Sequence, residues 1–353
     1  MRAWELQRFG LEHLRLVERP VPDPGPGQVL VRVRAAALNS RDLQVILDRY
    51  DPEQRLPIVP ASDGVGEIVA LGEGVREHAV GDRVVGLFAQ GWLAGERTSE
   101  RWLTQLGGHL DGMLQEYVLL SAAGAVPVPA YLSDAEAAAA TSAAATAWRA
   151  LVELGRVEPG QTVLVQGTGG VATFALQFAG LAGARAIVTS SSDAKLERAR
   201  ELGAWAGVNY RLHPDWHEEV LRLTGGDGVH QVVETAGDLE RSIRCLRVGG
   251  LVSLVGYMGQ LDLDSPDAQP MTYSASVIAV LVRNARLQAL SCAPRESWQR
   301  MYRALEAAEL RPVIDRVFPF EQADEALRHL RTGAHTGKVC IDVGGSSADE
   351  SCT

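Results

Sequence analysis

The stretch VLVQGTGGVA, residues 163–172, decides the fold. An apolar run, Val163 to Val165, meets Gly167, Gly169 and Gly170, and a second apolar stretch follows through residue 181. The pattern predicts strand, tight turn, helix. Gly167 permits a sharp turn at the strand end, and Gly169 lets the backbone approach a pyrophosphate. The helix that starts here aims free N–H groups and its positive dipole end at that group. The spacing Gly167-x-Gly169-x-x-Ala172 is the variant with alanine at the helix–strand contact. Gly167, Thr168, Gly169, Gly170 and Val171 are therefore the first candidate cofactor contacts. By itself the pattern also fits an ordinary βα turn, and its surroundings separate the two.

Downstream, strand and helix patterns alternate. Strands are expected over 185–190, 207–210, 231–235 and 251–256, and helices over 193–201, 218–224 and 239–246. That alternation predicts a parallel, doubly wound sheet, with a nucleotide beyond the strand carboxyl ends. Upstream, the alanine-rich segment 133–154 is expected to be one helix, capped by Ser133 or Asp134 and stopped by Gly155.

The chain has 353 residues, enough for two domains, and 46% of them are apolar and 22% charged. A net charge of −10 argues against nucleic acid or an anionic membrane as partner, since a phosphate-binding surface needs clustered Lys and Arg. Residues 1–20 are charged throughout, unlike a secretory leader, and no apolar run is long enough to span a bilayer. The four cysteines are scattered and form no CxxC pair. Together these features predict a cytoplasmic protein.

Residues 1–125 carry short β-type runs between Gly/Pro turns, as in a small barrel. The segments LNSRDL (38–43), PASDGVGEIVALG (60–72), GDRVVG (81–86) and GMLQEYVLL (112–120) resemble the catalytic domain of the medium-chain dehydrogenase/reductase superfamily. That resemblance, which runs over nearly the whole chain, implies an α/β protein. A GroES-like β-rich catalytic domain (1–125) is expected to precede a Rossmann NADP-binding domain (126–293). Residues 294–353 then return to the first domain. It also implies an intersubunit strand near 274–281 and hence a homodimer.

The departures from the superfamily pattern bear on the chemistry. Zinc members place a cysteine where this chain has Asn39 and a His-Glu pair where it has Ser62-Asp63; a third ligand would fall near 142–145. The structural zinc lobe would lie between about 89 and 112, where there is no cysteine. Zinc takes Cys, His or carboxylate in a four-ligand set, so neither a catalytic nor a structural metal is expected. The resemblance is instead to the zinc-free quinone oxidoreductase branch. Segment 88–112, with Trp92 and Trp102, is either a surface loop replacing the lobe or a lid over the substrate.

For the cofactor, an NAD site would carry an acidic residue at the end of the second strand, whereas this chain has Ser190-Ser191-Ser192. Hydroxyls suit a 2′-phosphate, and Lys195 adds a positive charge. Asp193 is a counter-signal best read as a helix cap. The resemblance adds Tyr210 beside the adenosine phosphate. NADPH is therefore expected over NADH. Thr235, Ala236, Val255, Gly256, Tyr257 and Ser291 lie at further strand ends and should line the cofactor. The resemblance also puts the Thr146 hydroxyl near the nicotinamide carboxamide. Lys338 is read either as a phosphate contact or as a solvated turn residue.

Without a Lewis acid, oxidation of a simple alcohol is poorly supported. Hydride addition to a quinone or α,β-unsaturated carbonyl spreads charge into an anion that needs hydrogen bonds. Asn39 is the candidate at the reacting centre, its amide donating to a substrate oxygen or holding the nicotinamide of the cofactor, with Asp42 holding its loop or relaying a proton. Arg41 is a candidate orienter of phosphate or substrate, and Tyr50 a candidate proton donor. Two alternatives stay open: a metal-free alcohol or aldehyde oxidoreductase, and a nucleotide-binding protein with a structural or sensing role.

Overall fold

The computed structural model describes residues 1–51, 53–256 and 274–344. The chain divides into two compact units, residues 1–142 with 293 onward, and residues 143–292.

The first unit opens with a hairpin of β1 (Arg2–Leu6) and β2 (Leu14–Glu18). Its organising strand is β3 (Gln28–Leu38), eleven residues long. The first half of β3 alternates between buried and half-buried positions, and the second half, ending in Ala35-Ala36-Ala37-Leu38, is buried throughout. Such a run is sandwiched on both faces. Helix α1 (Ser40–Ile46) follows directly, then β4 (Asp63–Leu71), β5 (Arg83–Gly86), the short α2 (Ser99–Trp102), β6 (Tyr117–Ser121) and β7 (Ala125–Pro127).

Segment 133–154 is not the single helix that its alanines predict. It breaks into α3 (Asp134–Ala139), α4 (Ser142–Trp148) and a π-helical turn (Arg149–Leu154). The break has a local cause. The Thr141 hydroxyl donates back to Ala138 O at 2.6 Å, and the Ser142 hydroxyl donates to the Asp63 carboxylate at 2.7 Å. Both hydroxyls compete with continued helix.

The second unit alternates as expected: β8 (Thr162–Gln166), α5 (Gly170–Leu181), β9 (Arg185–Ser190), α6 (Asp193–Glu201), β10 (Ala206–Asn209), α7 (Trp216–Leu223), β11 (Val229–Glu234), α8 (Leu239–Arg244) and β12 (Leu246–Leu254). Helix α9 (Val277–Arg283) and β13 (Arg286–Ala289) complete it. All six strands pair in parallel, in the order β10-β9-β8-β11-β12-β13. This is a Rossmann sheet, whose strand order reverses between β8 and β11. The strand expected near 274–281 is a helix here. Ser276 caps it by accepting from Ala279 N, and Asn284 ends it in a left-handed conformation. Among the described residues, β13, one element later, is one edge of the sheet.

The chain then returns through α10 (Arg295–Ala307), β14 (Ile314–Pro319), α11 (Ala323–Arg331) and β15 (Lys338–Asp342). Strand β15 pairs antiparallel with β3, giving a seven-stranded sheet ordered β14-β15-β3-β4-β5-β7, with β6 also on β3. Among the described residues, no helix is long and apolar enough to cross a membrane.

Candidate functional site

Strand register brings the first cluster together. Val339 of β15 lies opposite Leu38, and Asp63, at the start of β4, lies opposite Ala37. Lys338, Asp63 and Asn39 therefore meet at the carboxyl end of β3. The Asn39 amide Nδ2 donates to Asp63 Oδ2 at 2.8 Å and to the Ser62 hydroxyl at a long 3.4 Å. Lys338 Nζ donates to Asn39 Oδ1 at 2.6 Å and to Leu38 O at 2.9 Å, and lies 3.5 Å from Asp63 Oδ2. Asp63 also accepts from Ser142 and Ser62. The Asp63 and Lys338 side chains are 0% and 2% exposed, whereas Asn39 is half-buried. Lys338 is thus neither a solvated turn residue nor turned outward to a phosphate. It is a buried ammonium with three acceptors around it.

The positions expected for a catalytic zinc, residues 39, 62–63 and 142, fall in this one cluster. Its donors are an amide, two hydroxyls and a single carboxylate, and an ammonium already neutralises that carboxylate. This set does not fit zinc. Among the described residues, no group of three or more His, Cys, Asp or Glu side chains is arranged to hold a metal ion.

Asp42 lies one helical turn beyond. Its Oδ2 accepts the Asn39 backbone N–H at 2.8 Å, an acid in the first turn of α1 that fixes the residue before the helix. It is fully buried, and its Oδ1 has no hydrogen-bond partner among the described residues. Burial pushes its carboxyl up from 3.8 to about 6, against the pull of Arg41. Arg41 itself is committed elsewhere. Its guanidinium lies 4.6 Å from the Tyr50 ring and 5.1 Å from the Phe88 ring, and donates to Leu106 O and Gly107 O. The Tyr50 hydroxyl donates to Gln105 Oε1. Both residues pin segment 88–112. Trp92 is buried, and α10 donates to its carbonyl and to that of Leu93. The segment is a packed loop in place of a zinc lobe.

In the second unit, Gly167 has φ of 77°, in the left-handed region that favours glycine. Gly169 caps α5 with no side-chain hydrogen bond, and no acidic residue occupies the first turn. Gly167, Gly169, Gly170 and Val171 are partly exposed, and Thr168 is buried. Across the reversal point, the Thr235 hydroxyl donates to Gln166 O at 2.8 Å, tying the β11 end to the glycine loop. The buried Glu234 carboxylate accepts from the backbone of Ala236 and Gly237 and from Gln166 Nε2 and Ser242 Oγ. A polar cradle of loop N–H groups and a helix N-terminus fits a dinucleotide pyrophosphate.

The remaining candidates are placed as follows. Ser190 is buried at the end of β9, Ser191 and Lys195 are half-buried, and Tyr210 is exposed. Ser192, not Asp193, caps α6; its hydroxyl accepts from Lys195 N. Asp193 instead accepts from the Asn209 amide at 2.7 Å. Val255 and Gly256 donate their N–H groups to Glu234 O. The Ser291 carbonyl accepts from Arg149, and Thr146 is buried on α4. Tyr257 lies outside the described residues.

Comparison with known proteins agrees with both units. The family model for the alcohol dehydrogenase GroES-like domain matches residues 25–130, and that for zinc-binding dehydrogenase matches residues 170–307. A zinc-type alcohol dehydrogenase-like protein of Schizosaccharomyces pombe is 40% identical, over 95% of this chain and 96% of that protein. The chain belongs to the medium-chain dehydrogenase/reductase superfamily. It is an oxidoreductase of that type, built on a nucleotide-binding fold. The crystal structure of an NAD-dependent alcohol dehydrogenase is similar with a TM-score of 0.85 and 36% identity, over 98% of this chain and all of that one. The quinone oxidoreductase of Coxiella burnetii gives 0.75 and 26%, over 97% and 99%.

Within this superfamily framework, sequence reasoning named Lys338 and the 142–145 segment without finding their partners, and did not name Glu234. Lys338 and Ser142 carry no local signal, because only the pairing of β15 with β3 and the helix break bring them to Asp63. Glu234, an acid at the end of an apolar strand pattern, could have been flagged as needing buried partners.

The raised Asp42 carboxyl gives a testable sign. A proton held more tightly when folded adds stability that is complete below about pH 4 and lost as the pH rises through about 6. Asp42→Asn keeps an acceptor for the Asn39 N–H but does not titrate. Relative to wild type, the variant should therefore gain unfolding free energy as pH rises from about 4 to 6. Denaturant titrations across that range check this, and a constant difference would show that Asp42 does not titrate there.

Proposed function

We propose that this enzyme is an NADPH-dependent, zinc-free reductase of quinones or α,β-unsaturated carbonyls. The observation that carries the reading is the Asp63-centred cluster, in which an amide, hydroxyls and an ammonium-paired carboxylate stand at the expected metal-ligand positions. The NADPH nicotinamide, when bound, supplies the hydride. The chain supplies orientation and charge stabilisation. Asn39 is the catalytic residue: one amide N–H is held by Asp63, and the other, whose contact with the Ser62 hydroxyl is a long 3.4 Å, would turn to a substrate oxygen. Charge arriving on a conjugated acceptor spreads into an enolate or hydroquinone anion, which such a donor can stabilise without a metal. Asp42, fully buried, acts through Asn39 by fixing its backbone. Gly167 to Val171 would cradle the pyrophosphate, and Thr146, Thr235, Ala236, Val255, Gly256, Tyr257 and Ser291 would line the ribose and nicotinamide. Ser190, Ser191, Lys195 and Tyr210 would receive the 2′-phosphate. The protein is further read as a cytoplasmic homodimer.

Absorbance of NADPH, followed with a panel of quinones, enones, aldehydes and alcohols, tests the reading. Quinone or enone turnover is expected, with Asn39→Ala lowering kcat by about 10²–10³. Turnover confined to simple aldehydes or alcohols would favour the metal-free alcohol oxidoreductase, and tight NADPH binding without turnover a sensing role. For the cofactor, Ser190→Asp with Lys195→Ala should weaken NADPH binding far more than NADH binding. Equal losses would contradict the preference.

The dimer reading is supported by α9, whose Val277, Ile278, Leu281 and Val282 are each at least 70% exposed, and by β13, an edge strand among the described residues. Such an edge invites pairing with a second copy. Wild type should sediment as a dimer and Ile278→Asp/Leu281→Asp as a monomer; a monomeric wild type would overturn the reading.

A further inference from the structure

The Asn39 side chain has two ends of nearly equal shape and opposite character. Oδ1 only accepts, and Nδ2 only donates. Its surroundings distinguish them. Lys338 Nζ, which has donors alone, lies 2.6 Å from Oδ1, and Asp63 Oδ2, which has acceptors alone, lies 2.8 Å from Nδ2. Turning the amide over would set N–H against ammonium and carbonyl against carboxylate. The buried pair therefore admits one orientation, the one in which Asn39 presents N–H groups. The ammonium also draws electron density from Oδ1. Hydrogen bonds in series polarise one another, so the second N–H, held only by the long 3.4 Å contact to the Ser62 hydroxyl, becomes a stronger donor.

A plain structural clamp would not need this charge. Lys338 bridges β15 to the end of β3 through Leu38 O, and a neutral donor would serve that contact. Burying an ammonium and a carboxylate costs several kcal/mol per ion, recovered only when both are well satisfied. Here the ammonium has Leu38 O, Asn39 Oδ1 and Asp63 Oδ2 around it, and the carboxylate has Asn39, Ser142, Ser62 and Lys338.

We propose that Lys338, balanced by Asp63, is the positioning residue of the reductase site, orienting and polarising the Asn39 amide. Positive charge thereby reaches the substrate oxygen through an amide rather than directly from a cation. The inference rests on the reading of Asn39 as the group that meets the substrate.

The test compares Lys338→Met/Asp63→Asn, which removes both buried charges and keeps the shape of Asp63, with Asn39→Ala and with the triple variant. Thermal unfolding and NADPH binding are measured beside steady-state kinetics on one quinone. The double variant should fold and bind NADPH within about twofold of wild type, while kcat falls at least roughly tenfold, the worth of a hydrogen bond to a charged group. Adding the double change to Asn39→Ala should cost little more, because Lys338 and Asp63 act only through the amide that is then already gone. A folded double variant with wild-type kcat would overturn the positioning role, as would losses that multiply. If Asn39→Ala alone leaves kcat unchanged, the reading of Asn39 falls and the inference falls with it. Should the double variant not fold, Lys338→Gln, which keeps a neutral donor, gives the same readout. An unchanged kcat there contradicts the proposal.

Discussion

The pairing of β3 with β15 on one side and β4 on the other is the constraint on which the candidate site depends. Residues 38, 63 and 338 are far apart in sequence, yet antiparallel register leaves their side chains no other place to meet. Register in a buried sheet is strongly specified, because a one-residue slip would turn every apolar side chain to the wrong face. The buried continuity of Ala35 to Leu38 thus fixes the ammonium and carboxylate as firmly as the core itself. Once they are fixed, the Asn39 amide has a single favourable orientation, and Asp42 holds its backbone from the other side.

The second unit solves a different problem by similar means. A nucleotide site needs unpaired N–H groups, and such groups are costly unless something holds them in place. Gly167 and Gly169 supply the backbone freedom at the end of β8. The buried Glu234 and Gln166 side chains hold the facing turn at the end of β11, taking up its N–H groups at residues 235–237. The turn facing the glycine loop is therefore braced from within the sheet, where the strand order reverses.

How much of this was legible in the sequence follows from the range of each interaction. The glycine loop and the strand–helix alternation are local patterns, and the sheet order follows them. The substituted zinc positions were also legible, since a missing cysteine is read from residue identity alone. The role of Lys338 was not, because it arises from pairing across some three hundred positions. Segment 133–154 misled through its alanines: helix propensity is a weak prior, and the tertiary demand of Asp63 on Ser142 overrides it. The strand near 274–281 was expected from the resemblance alone, and here a serine cap and a left-handed Asn284 hold the segment as helix. Asp193 was placed one position late as a cap, an error of the size usual at helix boundaries.

The central claim is that the site delivers hydride to a conjugated acceptor whose oxygen is met by an amide and not by a metal. The most direct test is a turnover with NADPH deuterated at its transferable position and an enone, in chelator-treated enzyme, with the label located in the product. The result expected is deuterium on the β-carbon, the position from which charge passes through the conjugated system to the oxygen. Deuterium on the carbonyl carbon, giving an allylic alcohol, or a rate that returns only when zinc is restored, would contradict it.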